Sequence, residues 1–266
     1  MSSSPPPAAI KRLGQNFLID PNIVRKIVTL ARIAPGDNVL EIGPGRGVLT
    51  KALCRTAGCV TAIEVDSRLH AYLSEHQAEF PNVTFVLDDA MCFPMENLAV
   101  GTIVVANLPY YLSTPLLFRL LDHRHRFPRM VLMLQDEVAD RLVALPGSSQ
   151  YGVLSIMAQY GAKIAKAFKV SAQCFRPRPE VASAVVLVQS KARRELSPEE
   201  EPRFAALVRA AFAHRRKTLV NSLKDEGYDH RAVLSALASL ALSPTARAEV
   251  LSGERFIELT RVIFPH

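Results

Sequence analysis

Cysteine is sparse in this chain, and the four present, Cys54, Cys59, Cys92 and Cys174, show no paired metal-ligand spacing. They predict neither a disulfide framework nor a zinc site, no metal is assigned, and three lie in apolar surroundings that suggest buried packing. Long apolar runs are missing too. No stretch reaches the length of a bilayer span, so no membrane helix is expected. Met1 to Ala9 is rich in Ser and Pro, with neither the basic start nor the apolar core of a secretory signal. The chain is therefore expected to be cytoplasmic with a disordered tip. No internal repeat is visible, which removes the solenoid architectures.

What is present supports a globular enzyme-sized fold. With 266 residues and 49% hydrophobic content, the chain can bury one sizeable core and a smaller second one. The formal charge of +7 favours a polyanionic partner, although its distribution matters more than its size. Lys163, Lys166, Lys169, Arg176 and Arg178 form a stretch without an acid. Arg119, Arg124, Arg126 and Arg129 form another with only Asp122 among them, and Arg215, Arg216 and Lys217 a third. Charge runs are commonly solvated faces, so these stretches carry weight only beside a site for a nucleic-acid base.

Such a site is suggested by Asn107-Leu108-Pro109-Tyr110, which closes the apolar run Thr102 to Ala106. A β-branched apolar run bounded by breakers reads as a buried parallel strand, and ligands bind at the ends of such strands in open α/β sheets. Asn offers an acceptor carbonyl, Pro109 stiffens the turn and leaves its own carbonyl free, and Tyr110 supplies a flat face. Together they suit a planar amine such as adenine. An ordinary turn with a core Tyr fits the tetrapeptide equally well.

A second motif weighs on that choice. Asn38 to Ile42 reads as a buried strand, Gly43-Pro44-Gly45-Arg46-Gly47 as a glycine turn, and Val48, Leu49, Ala52 and Leu53 as the start of a helix. Glycines there let a backbone approach a nucleotide-like ligand, although the spacing is not the dinucleotide fingerprint. The next strand, Cys59 to Ile63, ends in Glu64, about twenty residues on, where an acid can accept from ribose hydroxyls. The strand Asn82 to Leu87 leads to Asp88-Asp89-Ala90, and Asp89 can accept from an amino group of adenine. Either acid could instead be a solvated strand end.

Taken in order, these residues resemble the ribosomal RNA adenine N6-dimethyltransferases, most closely those of the bacterial small subunit. The resemblance runs from Gly14-Gln15-Asn16-Phe17-Leu18 through Glu41-Ile42-Gly43-Pro44-Gly45, Glu64, Asp89-Ala90 and Asn107-Leu108-Pro109-Tyr110. It continues through Gln135-Asp136-Glu137-Val138, Arg141-Leu142, Phe175-Arg176-Pro177-Arg178-Pro179, Val181, Ser183 to Val186 and Arg215-Arg216-Lys217-Thr218. It implies S-adenosyl-L-methionine as cofactor, held by Asn16, Leu18, Gly43, Gly45, Glu64, Asp89 and Asn107. It implies a catalytic group of Asn107, Leu108, Pro109, Tyr110 and Phe175, the two rings stacking on opposite faces of the base. Substrate would be two adjacent adenines near the 3′ end of small-subunit rRNA, with the immature small ribosomal subunit as partner and a monomeric protein. One departure is Asp136, where relatives often carry Lys or Arg, so a phosphate contact there would be weakened. Beside an adenine site, the three basic stretches favour an RNA-binding surface.

The alternation of patterns predicts an α/β fold with a doubly wound sheet and a small C-terminal helical domain, and the resemblance implies that the first is a Rossmann-like methyltransferase domain. An N-terminal arm over 1–20 precedes the methyltransferase domain at 21–190, and a helical RNA-binding domain follows at 191–266, joined by a polar linker from Ser190 to Pro198. Helices are expected at Pro21 to Ala31, Pro115 to Leu121, Val138 to Ala144 and Tyr151 to Gln159. Ile164 to Val170 and Ser183 to Gln189 are the expected final strands, the last antiparallel in keeping with the family. Phe204, Leu207, Val208, Ala211 and Phe212 recur at helical spacing, as does Ala232 to Leu240. Three other functions stay open: a large-subunit rRNA dimethyltransferase conferring macrolide resistance, an RNA-binding assembly factor on a methyltransferase scaffold, and a dinucleotide-dependent oxidoreductase. The last has no discernible hydride-transfer site.

Overall fold

A computed structural model describes residues 5–10, 13–191 and 193–265. Residues 1–4, where a disordered tip is expected, lie outside it. A short strand β1 (Phe17–Leu18) leads into helix α1 (Pro21–Ala31). Asp20 caps that helix by accepting from the Asn22 and Ile23 amides, Pro21 occupies its first turn, and Arg32 ends it in the left-handed region. Ile23, Val24, Ile27 and Ala31 recur on one face of α1 and are buried.

Alternation then continues through β2 (Asn38–Ile42), α2 (Val48–Cys54), β3 (Cys59–Glu64), α3 (Ser67–Glu75), β4 (Val83–Leu87), β5 (Ile103–Asn107), α4 (Ser113–Asp122) and β6 (Arg129–Gln135). After α5 (Asp136–Val143) and α6 (Val153–Gly161) come β7 (Ala162–Val170), β8 (Phe175–Arg176) and β9 (Ser183–Ser190). Seven strands form one sheet in the order β4-β3-β2-β5-β6-β9-β7. β2 to β6 pair in parallel, while β9 lies antiparallel between β6 and β7, as expected for the last strand. Both faces of the parallel strands are covered, which is why β2, β5 and β6 are almost continuously apolar. From β2 the chain winds outward to β4 and returns to β5 on the other side. The carboxyl ends of β2 and β5 therefore flank a topological switch point, where a crevice opens. A separate pair, β1 with β8, ties the N-terminal arm to the segment before β9.

The chain divides into two compact units, 1–139 with 162–192, and 140–161 with 193–266. The second contains α6, α7 (Glu200–Phe212), α8 (Leu219–Asp225), α9 (His230–Ser239) and α10 (Gly253–Ile263). A boundary near 190 was expected, but segment 140–161 also belongs to the second unit. Ala144, Tyr151 and Ile156 share a core with Phe204, Leu207, Leu219, Val233 and Phe256, and the Tyr151 phenol donates to the Leu251 carbonyl at 2.9 Å. Leu196, inside the expected linker, is buried in that core as well. The cysteines also depart from expectation. All are free; Cys54 and Cys174 are half-buried, Cys59 and Cys92 exposed. Cys59 opens β3 at its exposed end, where neighbouring apolar residues do not enclose it.

Candidate active site

The turn after β2 brings backbone close to the crevice. Gly43 and Gly45 adopt φ of 71° and 59°, a region that side chains with a Cβ resist. At Gly45 a Cβ would also stand 3.0 Å from the Phe17 ring. The Gly45 amide donates to Glu64 Oε2 at 3.1 Å, and the Asp66 amide to Glu64 Oε1 at 3.0 Å. Glu64 is 4% exposed at the end of β3. Burial pushes its carboxyl up, and the Asp66 and Gly45 amides oppose that rise. Each oxygen retains further acceptor capacity, and Glu64 lines the cleft with Gly43, Gly45, Asn16, Asp89 and Asn107. Asp89 Oδ1 accepts from the Met91 amide at 2.8 Å, leaving its other oxygen for the cleft.

Asn107 closes β5 beside this turn. Its Nδ2 donates to the Asn16 carbonyl at 3.1 Å, which fixes the amide and turns Oδ1 away from that partner. The Leu108 amide donates to the Met133 carbonyl at 3.0 Å, so the strand ladder continues past Asn107. The Pro109 carbonyl accepts from Leu112 at 3.0 Å. Among the described residues the Leu108 carbonyl accepts no bond, so of the two backbone acceptors considered, Leu108 has the open one. The Tyr110 phenol lies 2.7 Å from Ser183 Oγ, a buried hydroxyl on β9, which fixes the plane of the ring.

An N-terminal arm covers the site. Gln15 Oε1 accepts from Ile10 at 2.7 Å and its Nε2 donates to Asp66 at 2.9 Å, while Arg46 reaches the Pro7 carbonyl at 2.9 Å. Asp66 is held down to about 2, chiefly by its hydrogen bonds from Arg68 and with help from Gln15, so it anchors the arm as a carboxylate. A second cavity of about 310 Å³ adjoins the cleft through Gly14, Gln15, Asn16 and Tyr110, and is completed by Gln135 and the segment Pro177 to Val181.

Two expected site residues are placed elsewhere. Phe175 is fully buried in the core with Val170 and Val185, because pairing of β8 with β1 turns its ring inward. It does not line the cleft, whereas Pro177 to Val181 line the adjoining cavity together with Tyr110. Leu18 is buried by the same pairing and lines a smaller hollow with Glu41 and Arg46, not the main cleft. Asn16, Gly43, Gly45, Glu64, Asp89, Asn107, Leu108, Pro109 and Tyr110 do converge on the cleft.

A model of the ribosomal RNA adenine dimethylase family matches residues 8–263. The chain belongs to that family. Its relatives include the ribosomal RNA small subunit methyltransferase A of Moorella thermoacetica, 43% identical with 95% of this chain and 92% of that protein covered. The protein of the same name from Magnetococcus marinus is 44% identical, covering 96% of this chain and 92% of its own length. Among solved structures, a dimethyladenosine transferase from Plasmodium falciparum superposes with TM-score 0.81 at 29% identity, covering 91% of this chain and 95% of that one. The 23S rRNA methyltransferase ErmE gives TM-score 0.73 at 25% identity, covering 93% and 99%.

Membership makes the chain an rRNA adenine methyltransferase, and its basic residues can be sorted accordingly. Three arginines of the stretch from Arg119 to Arg129 brace the fold. Arg119 donates to the Ala90 and Phe93 carbonyls at 3.1 and 2.6 Å, Arg126 to Leu98 at 2.7 Å, and Arg129 to Ala31 at 2.6 Å. Arg119 thereby braces the turn that carries Asp89. Lys166 and Lys169 on β7 both pair with Asp136 at 2.7 Å, so Asp136 neutralises part of that strand as well as lacking a positive charge itself. Burial raises the Asp136 carboxyl, but the two lysines outweigh it and hold the group down. Arg178, Arg215 and Arg216 are exposed. Among the described residues no helix is long and apolar enough to cross a membrane.

Gln15, Asp66, Ser183 and Gln135 went unassigned at the sequence level. Asp66 alone carried a signal, as an acid before a helical pattern, because the others act through partners distant in the chain.

Proposed function

We propose that the protein transfers methyl groups from S-adenosyl-L-methionine to N6 of two adjacent adenosines near the 3′ end of 16S rRNA, and that it acts during small-subunit biogenesis. The observation that carries this reading is the pair of acceptors at the end of β5, Asn107 Oδ1 and the Leu108 carbonyl, beside the glycine turn. The relatives at 43% and 44% identity favour the small subunit over the large one, which the 25% likeness to ErmE would suggest.

The residues present fit the cofactor. Gly43 and Gly45 admit close backbone approach, Glu64 offers lone pairs to ribose hydroxyls, Asp89 offers one to an amine, and the acidic lining suits a cation. When bound, the cofactor supplies a methyl group on a cationic sulfur. The N6 amine is a poor nucleophile because its lone pair is delocalised into the ring. Asn107 Oδ1 and the Leu108 carbonyl accept its two N–H groups, orient the lone pair and stabilise the positive charge that develops on nitrogen. No base is needed beforehand, since the proton leaves once the nitrogen has become acidic. Tyr110 stacks on one face of the base, worth about 1 to 3 kcal/mol. The adenine must be unpaired or flipped to enter. The partner is then the immature small subunit, met in the cytoplasm by a monomer.

Glu64→Ala should weaken cofactor affinity roughly 10- to 100-fold by calorimetry, the loss expected for hydrogen bonds to a charged group. An unchanged affinity removes Glu64 from the ribose site. The reading as a whole is tested by offering labelled cofactor to unmethylated small and large subunits. Label should enter small-subunit RNA, whereas label confined to large-subunit RNA supports the ErmE-like alternative.

A further inference from the structure

Beside the site lies a half-buried amide whose hydrogen-bonding groups are uncommitted. Gln135 ends β6, and the pairing of Asn107 with Met133 puts it two residues beyond that pair on the strand next to β5. Strand side chains alternate, so Gln135 shares the sheet face of Met133 and Asn107. On the other flank Ser183 stands opposite Gln135 in the antiparallel ladder, and the Ser183 hydroxyl holds the Tyr110 phenol at 2.7 Å. Gln135 thus sits one side chain from the stacking ring, lining the cavity of about 310 Å³ with it.

The other neutral polar side chains of that cavity are engaged. Gln15 bonds to Ile10 and Asp66, Asn16 Nδ2 donates to the Gly14 carbonyl at 3.1 Å, and Tyr110 is held by Ser183. Among the described residues, Gln135 makes no side-chain hydrogen bond. A carboxamide carries both donors and an acceptor, and this one is committed to no protein partner, so its Nε2 is available to an acceptor on a base held in the cavity.

We infer that Gln135 is a specificity-determining residue, its Nε2 donating to N1 of the target adenine while Asn107 and Leu108 hold N6. N1 is an acceptor in adenine and carries hydrogen in guanine and hypoxanthine, so a donor aimed at it rejects both. N7 is an acceptor in every one of these purines and distinguishes none of them. The inference rests on the adenine methyltransferase reading.

The test uses small subunits assembled with rRNA bearing 1-deazaadenosine at the target positions, which keeps the amine and removes N1. In single-turnover transfer, the ratio of normal to 1-deaza rates should be roughly 3- to 10-fold larger for the wild type than for Gln135→Ala. Any intrinsic change in the amine cancels in that comparison. The corresponding 7-deaza ratio should be the same for both proteins. Gln135→Glu keeps the size and removes the donor, should repeat the result, and carries the test where Gln135→Ala fails to bind cofactor. Equal 1-deaza ratios in wild type and variants overturn the inference, as does a difference that follows 7-deaza instead. Failure of the wild type to methylate normal subunits overturns the functional reading, so the two failures are distinguishable.

Discussion

Asn107→Ala is expected to lower single-turnover methyl transfer by at least roughly 100- to 1,000-fold, the scale seen when an oriented group that stabilises developing charge is removed. Cofactor affinity should largely survive, because Gly43, Gly45, Glu64 and Asp89 are untouched. The substitution deletes the acceptor that orients N6 and the Nδ2 donor that fixes the Asn16 carbonyl at 3.1 Å. Asn107→Asp separates these contributions. It retains an acceptor but turns a carboxylate toward the Asn16 carbonyl, so loss of transfer should be accompanied by loosening of the arm, visible as faster amide exchange at Asn16 and Phe17. Full transfer by Asn107→Ala would remove Asn107 from the catalytic role.

Glu41→Gln is expected to flatten the pH dependence of folding stability. Glu41 lies in the middle of β2, fully buried, and neither oxygen makes a well-formed hydrogen bond among the described residues. Burial pushes its carboxyl up to about 8; the Thr50 hydroxyl opposes this and the Glu64 charge adds to it. The sign follows from proton uptake. Between the ordinary carboxylate range and about 8 the folded protein retains a proton that the unfolded chain has released, so stability is fully present below that window and falls as pH rises through it. The loss amounts to on the order of 5 kcal/mol across the window. Gln has the same size, does not titrate, and should remove most of that slope in denaturant unfolding without cofactor. A slope unchanged by Glu41→Gln would mean that Glu41 is ionised in the folded protein.

β2 and β5 were legible because each is an apolar run rich in β-branched or aliphatic residues and closed by breakers: Asn107 and Pro109 at the end of β5, Gly43 and Pro44 after β2. The antiparallel direction of β9 followed only from family resemblance, and its insertion between β6 and β7 depends on pairings that no local pattern reveals. Glu41 is visible in the sequence as an acid between Leu40 and Ile42, a sign of a buried titratable group. Phe175 shows the opposite limit. An aromatic ring beside prolines can wall a site or fill a core, and the choice was made by a two-residue pairing of Leu18 with Phe175 far apart in the chain. Helical periodicity likewise identifies the apolar face of α6 but not its partner, so the membership of 140–161 in the second unit was hidden. The charge of the Arg119 to Arg129 run was legible because it is local in sequence, while the carbonyls that Arg119, Arg126 and Arg129 brace are distant and were not.

Dimethylation of two adjacent adenosines is tested most directly by nucleotide-resolution mapping after incubation with cofactor and unmethylated small subunits. Mass spectrometry of digested RNA should find N6,N6-dimethyladenosine at two neighbouring positions near the 3′ end of 16S rRNA. Methylation at a single adenine, at another base, or only in 23S rRNA would contradict the account.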